Sequence, residues 1–262
     1  MRQIKHISPS GLSQFLKNED EYYLRYLAEN KPIRFKQTKP MAAGSAFDRK
    51  MKRDMNFEHN GVDPQWEEYA VSIEQRMVDI YKASGAWARF ITDVGGLDNV
   101  QFESTVIKTV EGIPLLGKPD LYLPDQKIVF DWKVNGFCSK ASPKQGYVNC
   151  DGKMHKKCVW SPVPYPCNGM PMEDYAPDWA MQLGTYGIML NADFFIVHQL
   201  TGPDCRVSEY AGKISQEYLD GLMANYAKCW EFSHIEQPRL EKIAKMCQDP
   251  LFNELTRSNN IW

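Results

Sequence analysis

The residues best suited to chemistry lie in one stretch of the chain, Gly117–Val134, with the sequence GKPDLYLPDQKIVFDWKV. It places Asp120, Asp131 and Lys133 on two neighbouring extended segments, which a proline–aspartate turn joins. Residues along the second segment alternate in type, so Asp131 and Lys133 project from the same face of a predicted strand. An acid and a lysine therefore lie side by side, within reach of Asp120 on the preceding segment.

These side chains have the donor types that metal-assisted phosphoryl chemistry needs. Two carboxylates can hold a divalent cation through hard oxygen ligands, and Mg²⁺ suits such a site because it retains waters for the substrate. A neighbouring lysine can position or activate the attacking water and offset charge on a phosphate. The arrangement therefore suits phosphodiester hydrolysis. Asp-x-Lys on a strand is also typical of a solvated surface pair. Polar residues elsewhere in the chain are therefore needed to distinguish a catalytic site from a surface pair.

Length and composition limit the class of protein. A chain of 262 residues, 43% of them hydrophobic, can bury a sizeable core, which predicts one large domain. No apolar run is long enough to span a membrane, and the start, MRQIKHISPSG, lacks the apolar segment of a signal peptide. We therefore expect a cytoplasmic protein without a membrane partner. Seven cysteines, an odd number, predict reduced thiols rather than a disulfide framework.

The formal net charge of −2 is distributed unevenly. Residues 31–53 carry eight basic side chains against one acid, and residues 134–161 carry five lysines against one acid. Residues 54–103 carry ten acids against three basic residues. Two basic patches on an acidic body suit a protein that attracts phosphates locally, although a basic run can also be a solvated helix face. The candidate DNA contacts are Arg49, Lys52, Arg53, Lys140, Lys144, Lys153, Lys156 and Lys157.

Residues 1–98 have mainly helical patterns. Ser8 followed by Pro9 predicts a helix start, because serine caps helices and proline suits the first helical position. A second helix is predicted to begin near Ala42. Apolar residues from Trp66 to Tyr81 fit the 3.6-residue period of a third.

The rest of the chain predicts a sheet interrupted by an insertion. Residues 99–134 form the catalytic strands, residues 135–177 are rich in Gly, Pro, Cys and Lys, and residues 237–262 form a tail. The expected bounds are strands near 100–110, 113–123 and 127–134, a core helix at 178–190, strands at 193–200 and 205–211, and a closing helix at 215–234. This order predicts a single domain over residues 1–262 in the α/β class, with a central mixed β-sheet flanked by helices.

A set of polar residues follows a recognisable order along the chain: Asp48, Glu103, Asp120, Asp131-x-Lys133 and Gln182-x3-Tyr186. This order resembles the PD-(D/E)XK nuclease superfamily. More narrowly, it resembles the RecB-type branch, which includes phage and recombination exonucleases and CRISPR adaptation nucleases. The resemblance covers roughly Ile7 to Tyr210 and implies a restriction-endonuclease-like core with an N-terminal helical elaboration.

The resemblance implies a metal centre and a role for each residue around it. Asp120 and Asp131 would ligate a catalytic Mg²⁺ or Mn²⁺, with the backbone carbonyl of Val134 as a further ligand. Lys133 would serve the nucleophilic water and the charge of the transition state. The remaining residues would line the site: Gln182 and Tyr186 hold the substrate strand near its phosphate, and Glu103 supports the site.

The chain departs from the resemblance at two points. It has Asp48 where the RecB branch usually has a histidine ligand, and an oxygen ligand would bias the metal site towards Mg²⁺. Some relatives carry an iron–sulfur cluster with one cysteine near the first helix. No cysteine precedes Cys138 in this chain, so we expect no such cluster.

The insertion allows two interpretations. Cys150, His155, Cys158 and Cys167 could be zinc ligands, although they lack the close Cys-x2-Cys pairs of structural zinc sites. The alternative is a lysine-bearing loop that guides DNA, or one that only covers the site.

Taken together, the residues and the resemblance predict a Mg²⁺- or Mn²⁺-dependent deoxyribonuclease. We expect an exonuclease that acts on linear DNA ends in recombination or replication, with DNA as partner. A recombination or single-strand-binding protein and a second copy of the chain are further candidate partners. The alternatives are an endonuclease on the same fold, a non-catalytic DNA-binding protein, and an enzyme of other phosphoesters.

Overall fold

The computed structural model of this protein describes residues 4–28, 36–102, 105–135, 162–164, 170–201 and 206–234. Its helices are α1 (Pro9–Lys17), α2 (Glu19–Tyr22), α3 (Lys39–Asp54), α4 (Glu67–Ala83), α5 (Ala86–Asp93), α6 (Met172–Tyr175), α7 (Pro177–Leu190) and α8 (Gln216–His234). Its strands are β1 (Gln101–Phe102), β2 (Val106–Val110), β3 (Ile113–Gly117), β4 (Leu121–Leu123), β5 (Ile128–Asn135), β6 (Pro162–Pro164), β7 (Phe194–Thr201) and β8 (Arg206–Gly212). A π-helical turn, Tyr23–Leu27, follows α2, and a 3₁₀ turn, Pro64–Trp66, precedes α4.

The described residues divide into two compact units. The first falls within Met1–Arg34, Val106–Gly117 and Gln216–Trp262, and the second within Phe35–Thr105 and Lys118–Ser215. In the described part of the chain, no helix is both long and apolar enough to cross a membrane.

The first unit combines the opening helices, a hairpin and α8. Ser8 accepts a hydrogen bond from the Gly11 N–H with Pro9 at the first helical position, which confirms the predicted start of α1. The hairpin of β2 and β3 turns at Glu111 and Gly112, both with positive φ, a conformation that glycine adopts without strain. The Tyr22 hydroxyl hydrogen-bonds Ser233, which joins α2 to α8.

The second unit is built on a mixed sheet. Its strands, among the described residues, lie in the order β1-β4-β5-β7-β8-β6. The β5–β7 and β6–β8 pairs are parallel and the other pairs are antiparallel. Helices pack on β5 from α3 and from α7, so the prediction of a central mixed sheet flanked by helices is confirmed.

The two faces of β5 differ in what covers them. On one face, Phe130 and Trp132 are buried in an aromatic core with side chains from α3, α4 and α5. On the other face, α7 approaches the sheet closely at Gly187, where a Cβ atom would lie 2.6 Å from the ring of Phe195. Only glycine permits this approach, which places the polar side chains of α7 over the neighbouring residues of β5.

The strand bounds differ from the prediction at two places. One strand was predicted at 100–110, but this range contains two strands, β1 and β2, which belong to different sheets. The range 113–123 also contains two strands in different sheets, β3 and β4. The second break falls at residues 118–120, where Pro119 has no N–H to donate to a sheet. The predicted strands at 127–134, 193–200 and 205–211 and the closing helix are confirmed to within about two residues. The insertion contributes β6, which the pattern did not predict.

Candidate active site

Asp120 is held by the end of the antiparallel β4–β5 pairing. The last backbone pair at this end is Leu121 with Phe130, and Asp120 precedes it. The Asp120 Oδ2 atom accepts a hydrogen bond of 2.9 Å from the backbone N–H of Trp132. The Asp120 carboxylate therefore accepts a backbone hydrogen bond from β5 just beyond the point where the pairing with β4 ends. This bond fixes the carboxylate beside Asp131.

Asp131 and Lys133 project from the same face of β5, as predicted. Asp131 is 2% exposed, and its carboxylate forms a close ion pair with the Lys133 ammonium. Lys133 Nζ also donates to Gln182 Oε1 at 2.9 Å. A buried carboxylate is costly unless it is paired, and the Lys133 ammonium provides that compensation for Asp131.

Gln182 and Tyr186 lie one turn apart on α7 and link the strand to the backbone before Asp120. Gln182 Nε2 donates to the Tyr186 hydroxyl at 2.9 Å and lies 3.5 Å from Asp131 Oδ1. The Tyr186 hydroxyl donates to the Lys118 carbonyl at 3.1 Å. Burial raises the pKa of Tyr186, so the hydroxyl stays protonated and acts as a donor.

A second group of charges comes from α3. The side chain of Lys52 is completely buried, and its Nζ atom lies 2.6 Å from Asp48 Oδ1 and 3.4 Å from Asp120 Oδ1. His59 Nε2 lies 3.5 Å from Asp48 Oδ2. Asp48 is thus adjacent to the candidate ligands, but a lysine ammonium lies between it and Asp120.

The pKa values of Asp131 and Lys133 are both raised, but from different causes. Burial, reinforced by the Asp120 carboxylate and opposed by Lys133, raises the pKa of Asp131 to about 6. Burial opposes the charged form of Lys133, but the carboxylates of Asp131 and Asp120 outweigh it and raise the pKa of Lys133. Lys133 is therefore an ammonium at neutral pH, which can donate hydrogen bonds and stabilise negative charge but cannot accept a proton.

The donor set fits a small, hard divalent cation between Asp120 and Asp131. Both side chains offer carboxylate oxygens, and the Asp120 carboxylate contributes to the raised pKa of Asp131. A cation bound between them would reduce this repulsion between the two negative charges. Mg²⁺ needs only one or two carboxylates because it keeps several waters. Within the described residues there is no group of three or more His, Cys, Asp or Glu side chains placed to hold one ion. A metal here would therefore rely on two carboxylates, with the Val134 carbonyl and waters as the other predicted ligands.

The basic helix α3 does not present its side chains as predicted. Arg49 is 3% exposed and its guanidinium lies 2.7 Å from Glu67 and 2.6 Å from Glu74. Arg49 and Lys52 are both enclosed by carboxylates, so neither is available to a phosphate, and the predicted DNA contacts of these two residues are corrected. Arg53, with its side chain 56% exposed, stays a candidate.

Several predicted residues lie outside the described part of the chain. They are Glu103, the basic residues Lys140, Lys144, Lys153, Lys156 and Lys157, and the alternative zinc ligands Cys150, His155, Cys158 and Cys167.

Three contributors to the site were not predicted. They are Lys52 as a neighbour of Asp48 and Asp120, His59, and the Lys118 carbonyl. The four-residue spacing of Asp48 and Lys52 was an available signal, because side chains at that spacing meet on a helix. The position of His59 depends on the chain turning back after α3, which no local pattern specifies.

Comparison with known proteins finds similar folds and no close relative. No family model and no curated protein matches the chain. It is similar to a phage-related exonuclease from Haemophilus somnus 129PT, with 12% identity, a TM-score of 0.39, and coverage of 94% of this chain and 97% of that chain. It is also similar to an alkaline exonuclease from Laribacter hongkongensis, with 10% identity, a TM-score of 0.38, and coverage of 94% and 96%. These TM-scores are below 0.5, so the similarity does not identify the activity of this chain.

Proposed function

We propose that this protein is a divalent-metal-dependent deoxyribonuclease that hydrolyses phosphodiester bonds. The observation that carries the proposal is the convergence of Asp120, Asp131 and Lys133 at one end of the β4–β5 pair. Two carboxylates and a charged lysine, buried together, are unfavourable in a protein that has no use for them.

Each residue has a distinct part in the proposed reaction. Asp120 and Asp131 would hold Mg²⁺ or Mn²⁺, which when bound supplies Lewis acidity and a water of lowered pKa. Lys133 is protonated, so it stabilises the negative charge that grows on the phosphate as water attacks. Gln182 accepts a hydrogen bond from Lys133 and so fixes the direction in which the ammonium points.

An exonuclease acting on linear DNA ends is the form of the activity we propose, in line with the RecB-type resemblance of the sequence. A recombination or replication setting, a cytoplasmic location, and a recombination or single-strand-binding partner are proposed on the same basis. An endonuclease on the same fold would use the same side chains, so substrate topology separates the two.

The test uses linear duplex DNA and covalently closed circular DNA of the same sequence. Purified protein is incubated with each in Mg²⁺, in Mn²⁺ and in EDTA. We expect metal-dependent loss of the linear DNA alone. Cutting of the circle would move the proposal to an endonuclease, and binding without cleavage of either DNA in any metal would contradict a catalytic role.

A further inference from the structure

Lys52 has the least exposed charged side chain of the candidate site. Its side chain is 0% exposed, on a helix whose neighbouring Arg53 side chain is 56% exposed. A buried ammonium is retained only where carboxylates compensate the loss of hydration. Among the described residues, Asp48 at 2.6 Å and Asp120 at 3.4 Å are such partners of Lys52.

The position of this ammonium is that of a bridging cation. Asp48 comes from α3 and Asp120 from the segment before β4, and the Lys52 nitrogen lies between their Oδ1 atoms. The i,i+4 spacing of Asp48 and Lys52 sets the first contact, and the packing of α3 on β5 sets the second. A covalently attached cation thus lies where an ion shared by these two carboxylates would bind.

The other side of Asp120 has a different arrangement. Lys133 pairs with Asp131 and donates to Gln182, and among the described residues it forms no ion pair with Asp120, so it does not bridge Asp120 and Asp131 as Lys52 bridges Asp48 and Asp120. The pair of Asp120 and Asp131 is therefore the part of the cluster that a divalent ion would stabilise further. The pair of Asp48 and Asp120 already has its cation.

We propose that Lys52 is a built-in counter-ion that takes the place of a second divalent metal between Asp48 and Asp120. The site then binds one metal, on the side of Asp131, and Asp48 holds Lys52 rather than the metal. This inference rests on the metal site of the proposed function. It also revises the expectation that Asp48 is a metal ligand.

Metal stoichiometry tests the inference without any measurement of cleavage. Isothermal titration calorimetry counts the Mn²⁺ ions that bind to the wild type and to Lys52→Met. The electron paramagnetic resonance signal of free Mn²⁺ gives an independent count. Methionine, which is one atom shorter, keeps most of the apolar stem of lysine and removes the charge. Lys50→Met on the same helix, which loses an ion pair with Asp54 outside the site, is the matched control.

The expected result is one Mn²⁺ in the wild type and in Lys50→Met, and a second Mn²⁺ in Lys52→Met. We also expect metal to raise the unfolding temperature of Lys52→Met, relative to EDTA, by more than it raises that of the wild type. One ion in Lys52→Met, with the affinity and temperature shift of the wild type, would overturn the inference and leave the proposed nuclease intact. Absence of Mn²⁺ binding to the wild type would overturn both.

A second variant keeps the inference testable should Lys52→Met not fold. Asp48→Asn removes the first partner of Lys52 and leaves Asp120 and Asp131 unchanged. We expect it to bind one Mn²⁺ with an affinity within about threefold of the wild type, since the metal does not contact Asp48. A loss of a hundredfold or more would make Asp48 a ligand, and two ions in the wild type would contradict the inference whatever the variants show.

Discussion

At the scale of single residues, the candidate site is a balance of buried charge. Three carboxylates, Asp48, Asp120 and Asp131, meet two ammonium groups, Lys52 and Lys133. With these five groups ionised, their charges sum to one negative charge, which burial makes unfavourable and which a divalent cation would over-compensate. The excess positive charge is what a phosphate group would then meet.

Tyr186 positions the backbone that leads to Asp120, because its hydroxyl bonds the Lys118 carbonyl. We expect Tyr186→Phe to lower kcat by about tenfold to a hundredfold, since small displacements of a ligand weaken catalysis. Its stability should fall by about 1–2 kcal/mol for the hydrogen bonds lost. Single-turnover cleavage and urea denaturation measure the two effects.

Tyr122→Phe is the matched control for this prediction. The Tyr122 hydroxyl donates to the Leu190 carbonyl at 2.9 Å, in the same unit but away from the carboxylates. Its removal should lower stability by about 1 kcal/mol and leave kcat unchanged. Equal kcat values for the two variants would mean that the bond from Tyr186 has no positioning role.

At the scale of elements, the sequence predicted β5 and α7 well because each has one clear periodicity. Alternation along β5 placed Asp131 and Lys133 together, and the four-residue spacing on α7 placed Gln182 and Tyr186 together. The division into β1 and β2, and that into β3 and β4, were missed because apolar residues occur on both sides of each. Pro119 was the local signal for the second break.

The faces of α3 could not be read from its composition. A run of basic residues is the same in sequence whether it faces solvent or carboxylates on another helix. The acids that enclose Arg49, Glu67 and Glu74, both come from α4, and Lys52 is enclosed partly by Asp120. Such pairings are long-range, so tertiary structure decides them.

Substitutions on α3 separate the buried arginine from the exposed one. Arg49→Met should destabilise the protein by about 3–5 kcal/mol, because it leaves the carboxylate of Glu74 buried without its main partner. Arg53→Met should change stability by less than about 0.5 kcal/mol, because its side chain is mostly exposed. Urea denaturation of the two variants measures this difference, and equal effects would contradict the assignment of Arg49 to the interior.

A buried chain of hydrogen bonds lies on the aromatic face of β5. Trp132 Nε1 donates to the Tyr81 hydroxyl at 3.1 Å, Tyr81 contacts His198 Nδ1 at 2.6 Å, and His198 Nε2 contacts Glu209 at 3.0 Å. The ionised Glu209 can only accept, so His198 donates from Nε2 and accepts from Tyr81. The Arg89 guanidinium is a further charged neighbour, with its Nη2 atom 3.5 Å from Glu209 Oε2.

We expect these hydrogen bonds to contribute less to stability in mild acid than at neutral pH. Burial lowers the pKa of His198 below 6.5, and the hydrogen bond from His198 lowers the pKa of Glu209. Below pH 6.5 the unfolded state binds more protons at His198, so stability falls as the pH falls, by at most about 1.4 kcal/mol per pH unit. The contribution of Glu209 is lost at lower pH in the same direction.

Replacement of the histidine tests this prediction. His198→Gln should be less stable at pH 7.5, but its free energy of unfolding should change less between pH 7 and pH 5.5. His234→Gln, at the exposed end of α8, should keep the slope of the wild type. An unchanged slope in His198→Gln would show that the histidine is not the titrating group.

At the scale of the whole molecule, the described site residues all lie in the second unit, within Phe35–Thr105 and Lys118–Ser215. Whether the two units act as one domain over residues 1–262 stays a prediction. Because the net charge is −2, the DNA binding that we propose would depend on local basic groups such as Arg53.

Salt dependence measures this local attraction. We expect DNA affinity to fall as salt rises, because each phosphate contact releases counter-ions. Arg53→Met should make the slope of log affinity against log salt shallower by about 1. Fluorescence anisotropy of a labelled duplex in Ca²⁺ gives the slopes, and an unchanged slope would remove Arg53 from the DNA-binding surface.

The most direct test of the account is single-turnover cleavage of an end-labelled linear duplex in saturating Mg²⁺ by Asp131→Asn. Asp125→Asn, in the exposed turn between β4 and β5, is the control, and near-UV circular dichroism checks that both variants are folded. The account predicts a loss of about a thousandfold or more for Asp131→Asn and a change of less than about twofold for Asp125→Asn. Cleavage by folded Asp131→Asn at the wild-type rate would contradict it.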